Sequence, residues 1–135
     1  MTPEGLTRVE SRFSPSETAE RLVAAVTSRG MALMARVDHA AAAATVGLEL
    51  PPTEVLMFGN PRAGTPMMVA ARTVGIDLPL KALVWLDEGK TWIAYNEPRW
   101  IAARHGFSGD VAAMSGALAA VVREAAGVAD NGELA

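Results

Sequence analysis

Apolar and polar side chains alternate from Leu6 to Phe13, with Val9, Ser11 and Phe13 on one face and Arg8, Glu10 and Arg12 on the other. That is the period of a half-buried strand. Ser14-Pro15-Ser16-Glu17 follows, giving a serine N-cap, a proline at the first helical position and a glutamate placed to close a capping box. The pattern predicts a helix with the apolar stripe Ala19, Leu22, Val23 and Val26, stopped at Gly30. Alternation resumes from Met31 to Asp38, with Leu33, Ala35 and Val37 on one side, and predicts a second strand lying beside the first.

The Ala40 to Ala44 run has high helix propensity but no evident cap, and reads as one short helix. Pro51-Pro52 breaks the chain before a compact apolar strand, Glu54 to Phe58, which runs into Gly59-Asn60-Pro61. Thr65-Pro66 reads as the cap and first residue of a helix over Met67 to Thr73, stopped at Gly75. Lys81 to Leu86 and Thr91 to Tyr95 form a hairpin around Asp87-Glu88-Gly89-Lys90. A short helix from Pro98 to His105, ended by Gly106, and a longer one from Asp110 to Ala126 complete the pattern.

The predicted order is therefore β-α-β-(short α)-β-α-β-β-α-α. It lacks strict βαβ alternation, so the fold class is α+β: a mixed or antiparallel sheet with helices packed on it. Residues 1–127 read as a single domain and residues 128–135 as a frayed tail. The hairpin strands LVWL and WIAY are apolar on both faces in a chain with few helices to cover them, which predicts a homodimer.

Composition narrows the chemistry. Lys and Arg number 12 against 15 Asp and Glu, a net charge of −3, and no basic run occurs, which argues against a nucleic-acid partner. The longest stretch free of charge, Val111 to Val122, falls short of the ~18 residues of a membrane span. The first residues lack the apolar run of a secretory signal, so a soluble, cytoplasmic protein is expected, with no membrane partner. With no cysteine there is no disulfide, thiolate nucleophile or Cys-type zinc site.

FGNPRAGTPMM (Phe58 to Met68) followed by GIDLPLKALVW (Gly75 to Trp85) resembles the bacterial and archaeal family known as domain of unknown function 302. VDHAAAAATVGLELPPTEVLMF, IAYNEP and Ala103-Arg104-His105-Gly106-Phe107 agree with it, and together these stretches cover most of Leu6 to Phe107. The resemblance implies a small α+β domain, typically a homodimer, with no established activity. The Ala40 to Ala44 run is richer in alanine than the polar-dotted helix expected there, and no ligand role is assigned to it.

Gly59 to Gly64 has the spacing of a phosphate loop between a strand and a helix, but Thr65 and Pro66 stand where such a loop needs Lys and then Ser or Thr. Pro61 and Pro66 also lack the N–H groups such a loop aims at its anion. Nucleoside triphosphate hydrolysis is not expected. A helix start with Arg62 and Thr65 nearby still suits a small anionic ligand such as a carboxylate or sulfate.

The histidines are His39 and His105, the latter at a predicted helix C-terminus. Either can serve acid/base chemistry with Asp77 or Glu97 as partner. A zinc site would require the fold to gather both histidines and one of those carboxylates, so no metal and no cofactor is assigned. Asp77 and Lys81, four apart around Pro79, read as a turn closed by an ion pair. Asn60, Tyr95 and Asn96 lie at strand ends, placed to orient a ligand or to satisfy loop backbone. The methionines read as adaptable core packing. Gly106-Phe107-Ser108-Gly109-Asp110 lacks the last glycine of a nucleophile elbow.

Three functions compete on this evidence. The favoured one is a dimeric, non-catalytic module that binds a small ligand or a partner in a cleft lined by the Gly59 to Met68 loop, Tyr95 and His105, with Asn60, Arg62, Thr65, Lys81 and Asn96 as further contacts. The second is a small acid/base enzyme using His39 or His105 with Asp77 or Glu97. The third is a purely structural or assembly protein.

Overall fold

The structure, a computed structural model, describes residues 2–128. Strand β1 (Leu6–Ser11) leads into helix α1 (Pro15–Ser28), whose N-cap Ser14 accepts a hydrogen bond from the Glu17 N–H, as the sequence pattern requires. Strand β2 (Ala32–Asp38) and the short helix α2 (His39–Thr45) follow. Contrary to expectation α2 is capped: Asp38 Oδ1 accepts from the Ala41 N–H at 2.9 Å. Strand β3 (Thr53–Gly59) precedes helix α3 (Pro61–Ala70) and a 3₁₀ turn at Arg72–Ile76. Strands β4 (Leu80–Asp87) and β5 (Lys90–Asn96) form the hairpin. Glu88 and Gly89 both have positive φ, 51° and 78°, the geometry of a tight two-residue turn. Helices α4 (Pro98–Arg104) and α5 (Ala112–Ala126) close the chain.

Among the described residues the strands make one five-stranded antiparallel sheet in the order β1-β5-β4-β3-β2. This confirms the α+β class and corrects the pairing expected at its start. β2 lies at the edge opposite β1, because β1 pairs with β5 (Leu6 opposite Asn96) and β2 with β3. Local alternation fixes which side chains share a face but carries no information about the neighbouring strand.

Helices α1 and α5 pack on each other and on one face of the sheet. Leu22 and Val26 of α1 and Leu118, Val121 and Val122 of α5 meet Leu56, Phe58, Val84 and Ile93 from the strands, all fully buried. Each such side chain contributes roughly 1.5–3 kcal/mol by leaving water. At the β2 edge Arg36 forks between Glu54, at 2.9 and 3.0 Å, and Glu20 of α1, at 2.8 Å, tying helix to sheet. A second cluster, Met67, Val74, Ile101 and Ala102, fastens α3 and the 3₁₀ turn to α4.

The start of α3 differs from the sequence expectation by a full turn. Asn60 is the N-cap and Pro61 the first helical residue, with Asn60 Oδ1 accepting from the Arg62 N–H at 3.0 Å. Asparagine outranks threonine as a cap, so the earlier start wins even though it places Pro66 inside the helix, where its missing N–H leaves one intrahelical bond unmade. Thr65 is accordingly a helical residue and caps nothing. Val128, placed in the tail by sequence, is 8% exposed and packs on the main core; residues 129–135 of that expected tail lie outside the described residues.

Candidate functional site

Two neighbouring regions hold the chemistry, and the loop Asp77 to Pro79 joins them. The first is polar. Helix α4 ends at Arg104 with His105 as its C-cap, which brings both side chains to the end of the 3₁₀ turn that carries Thr73 and delivers Asp77. His105 Nε2 lies 2.5 Å from Asp77 Oδ2, and Nδ1 lies 2.8 Å from Thr73 Oγ1. Arg104 Nη1 donates to both Asp77 oxygens, at 3.0 and 2.8 Å. The His105 and Asp77 side chains are 7% and 15% exposed. Burial pushes the Asp77 carboxyl up, but the His105 hydrogen bond and the Arg104 charge together outweigh it and hold the group below its ordinary value. An imidazole that donates from Nε2 to Asp77 leaves Nδ1 to accept the Thr73 hydroxyl proton.

Asp77 does not pair with Lys81, as the spacing had led one to expect. Lys81 Nζ instead donates to the backbone carbonyls of Asp77, at 3.3 Å, and Pro79, at 3.2 Å. His39 is exposed at the head of α2 and does not join His105; among the described residues no cluster of three His, Asp or Glu is placed to hold a metal ion. Glu97 lies elsewhere too. It sits at the N-cap position of α4 without capping it, and accepts from Thr7 Oγ1 at 2.7 Å and Ser115 Oγ at 3.4 Å, linking β1, α4 and α5. Tyr95 is buried in the core, its hydroxyl held above the ordinary value by burial and by Glu97. Asn96, next along the strand, is exposed on the opposite face.

The second region is a cleft of about 610 Å³ between α3, the start of α5, the β2 edge and Leu78 to Leu80. Its walls are mainly apolar and include the thioethers of Met31, Met34, Met68 and Met114. Met34 is there because of a β-bulge: Leu33 stands opposite Phe58 and Ala35 opposite Met57, so Met34 is the extra residue. Polar groups are sparse: Arg29, Asn60 and Thr65.

Of the ligand contacts expected from sequence, Asn60 and Thr65 line this cleft, whereas Arg62, Lys81, Tyr95, Asn96 and His105 do not. Arg29 and the four methionines were missed, since a helix-end arginine and methionines in strand or helix patterns look like surface and core. A pair of methionines flanking a strand start, Met31 and Met34, was the available signal.

Comparison with known proteins adds three findings. The family model described as "Domain of unknown function DUF302" matches residues 7–125. The chain is 51% identical over 128 residues to "Fluoride-specific ion channel FluC 1" of Brucella suis biovar 1 (strain 1330), covering 91% of this chain and 50% of that one. It is equally similar to the protein of the same name from Brucella abortus biovar 1 (strain 9-941), covering 47% of it. The chain thus spans about half the length of the curated relatives it matches. The solved structure titled "Crystal structure of uncharacterized conserved protein DUF302 from Bacillus stearothermophilus" superposes with a TM-score of 0.81 at 22% identity, over 91% of this chain and 99% of that one, which establishes a shared fold.

Proposed function

This chain belongs to the DUF302 family, and on that premise we propose that it is a non-catalytic binding module, working as a homodimer, that takes a small ligand in the methionine-lined cleft. The observation that carries the reading is the cleft itself: its volume lies in the ~300–1,000 Å³ range of small-molecule sites, with apolar walls and a few polar groups at the rim. No nucleophile with an adjacent base lines it. No helix among the described residues is long and apolar enough to cross a membrane. Beside relatives named as fluoride channels, of which this chain matches half, we read it as a binding half facing the cytoplasm, distinct from any conducting part.

The dimer reading rests on the sheet face turned away from α1 and α5. Val37, Val55, Leu83 and Ala94 stand in one row across four strands, with Trp85 opposite Trp92 in the next row. Ala94 is already buried within the chain, and a second copy laid on this face would withdraw Val37, Val55, Leu83 and both indoles from water.

Thermal unfolding with a panel of small organic compounds tests the ligand reading, because a ligand bound to the native state alone raises the midpoint. Compounds that stabilise the wild type should lose that effect in Ala117→Phe, which fills the cleft from α5. A panel without any stabilising compound, or equal stabilisation of the variant, contradicts it.

A second reading is favoured by the Thr73, His105 and Asp77 chain of hydrogen bonds: a small acid/base enzyme with His105 as the proton carrier and Asp77 orienting it. Turnover of an activated ester such as p-nitrophenyl acetate, lost in both His105→Gln and Thr73→Val, would support it; a rate unchanged by both would dismiss it.

A further inference from the structure

Two of the three polar groups of the cleft, Arg29 and Asn60, share one property, while the Thr65 hydroxyl can donate or accept. Arg29 is a cation, exposed at the C-cap of α1, and among the described residues no ion pair or hydrogen bond engages its guanidinium. Asn60 spends its carbonyl oxygen on the Arg62 N–H, which leaves its amide N–H groups as donors. No Asp or Glu is among the lining residues. Around these donors lies an apolar lining whose flexible, polarizable thioethers adapt to an alkyl chain of any conformation. A rim that offers a positive charge and N–H donors without a competing carboxylate discriminates in favour of an anionic head, while the interior rewards an apolar tail.

We propose that the cleft binds an amphipathic monocarboxylate, its alkyl chain against Met31, Met34, Met68 and Met114 and its carboxylate at Arg29. This rests on the reading of the cleft as a ligand site and adds the ligand's chemical class. The bulge supports it from the backbone side, because without the extra residue in β2 the Met34 side chain would have no reason to leave the register of the strand and join the cleft wall. Arg29 acts as a head-group contact at an exposed position, so its worth is that of a solvated ion pair, about fivefold in affinity.

Calorimetric titration of the full chain with decanoate and with decanol, below their aggregation limits, tests the proposal. Decanoate should bind saturably and about fivefold more tightly than decanol. Arg29→Gln should abolish that preference while leaving decanol affinity at the wild-type value, and raising the salt concentration should narrow the preference in the wild type. Equal affinity for the two probes, or an undiminished preference in Arg29→Gln, overturns the ligand class and leaves the ligand site standing. Absence of saturable binding by either probe overturns the ligand class, and the thermal-unfolding panel then decides the cleft reading separately.

Discussion

His105 Nε2 and Asp77 Oδ2 stand 2.5 Å apart although 28 positions separate them in the chain. The contact fixes the residue immediately before Leu78 and Pro79, which form one wall of the cleft. A hydrogen bond at the end of α4 thus sets the position of an apolar surface formed by a different segment.

That contact predicts a pH dependence. The Asp77 carboxyl sits below its ordinary value in the folded protein, so its bonds to His105 and Arg104 contribute fully at pH values above the unfolded-state value of ~3.9. The contribution is lost as pH falls through the depressed folded value. Denaturant midpoints measured from pH 6 down to 2.5 should fall more steeply for the wild type than for Asp77→Asn, with the two curves converging at the acid end. Parallel curves would mean that Asp77 gains nothing from its partners.

The cap of α3 gives a second prediction. Asn60→Ala should cost about 1 kcal/mol through loss of the bond to the Arg62 N–H, whereas Thr65→Ala, inside the helix and exposed, should leave stability within ~0.5 kcal/mol of wild type. Urea denaturation of both variants decides it, and the reverse order would restore the later helix start.

Much of the fold was legible in the residues. Ser14-Pro15 announces α1, the apolar runs on either side of Glu88-Gly89 announce the hairpin, and Gly106 follows the end of α4, because caps and turns depend on a few adjacent residues. What depends on tertiary context was not. The pairing of β1 with β5 and the bulge at Met34 each join segments far apart in sequence, and although His105 with Asp77 was one of the four histidine–carboxylate pairs the residue types offered, only the fold selects it over the other three. For α3 two adequate caps competed, Asn60 and Thr65, and Pro66 seemed to favour the wrong one because prolines are more common at a first helical position than within a helix. Of the candidate site, Asn60 and Thr65 were found because polar residues around glycine mark strand-to-helix junctions; the methionines were hidden by their resemblance to core.

A third prediction concerns the open face of the sheet. Leu83→Arg places a charge in the middle of the row Val37, Val55, Leu83 and Ala94 and should convert a dimer to a monomer with an unchanged far-ultraviolet circular dichroism spectrum. Light scattering across a micromolar dilution series reads the mass directly. A wild type that is monomeric throughout contradicts the assembly reading.

The account stands most directly on whether the cleft takes a ligand. Chemical shifts of carbon-13-labelled methionine methyl groups, followed during titration with decanoate, report on it residue by residue. Met57 lies opposite Lys81 in the sheet and outside the cleft lining, so it serves as the internal control. Met31, Met34, Met68 and Met114 are expected to move together and saturate at one molecule per chain, with Met57 unmoved. Movement of Met57 to the same extent as the other four, or four unmoved cleft methyls at saturating probe, would contradict it.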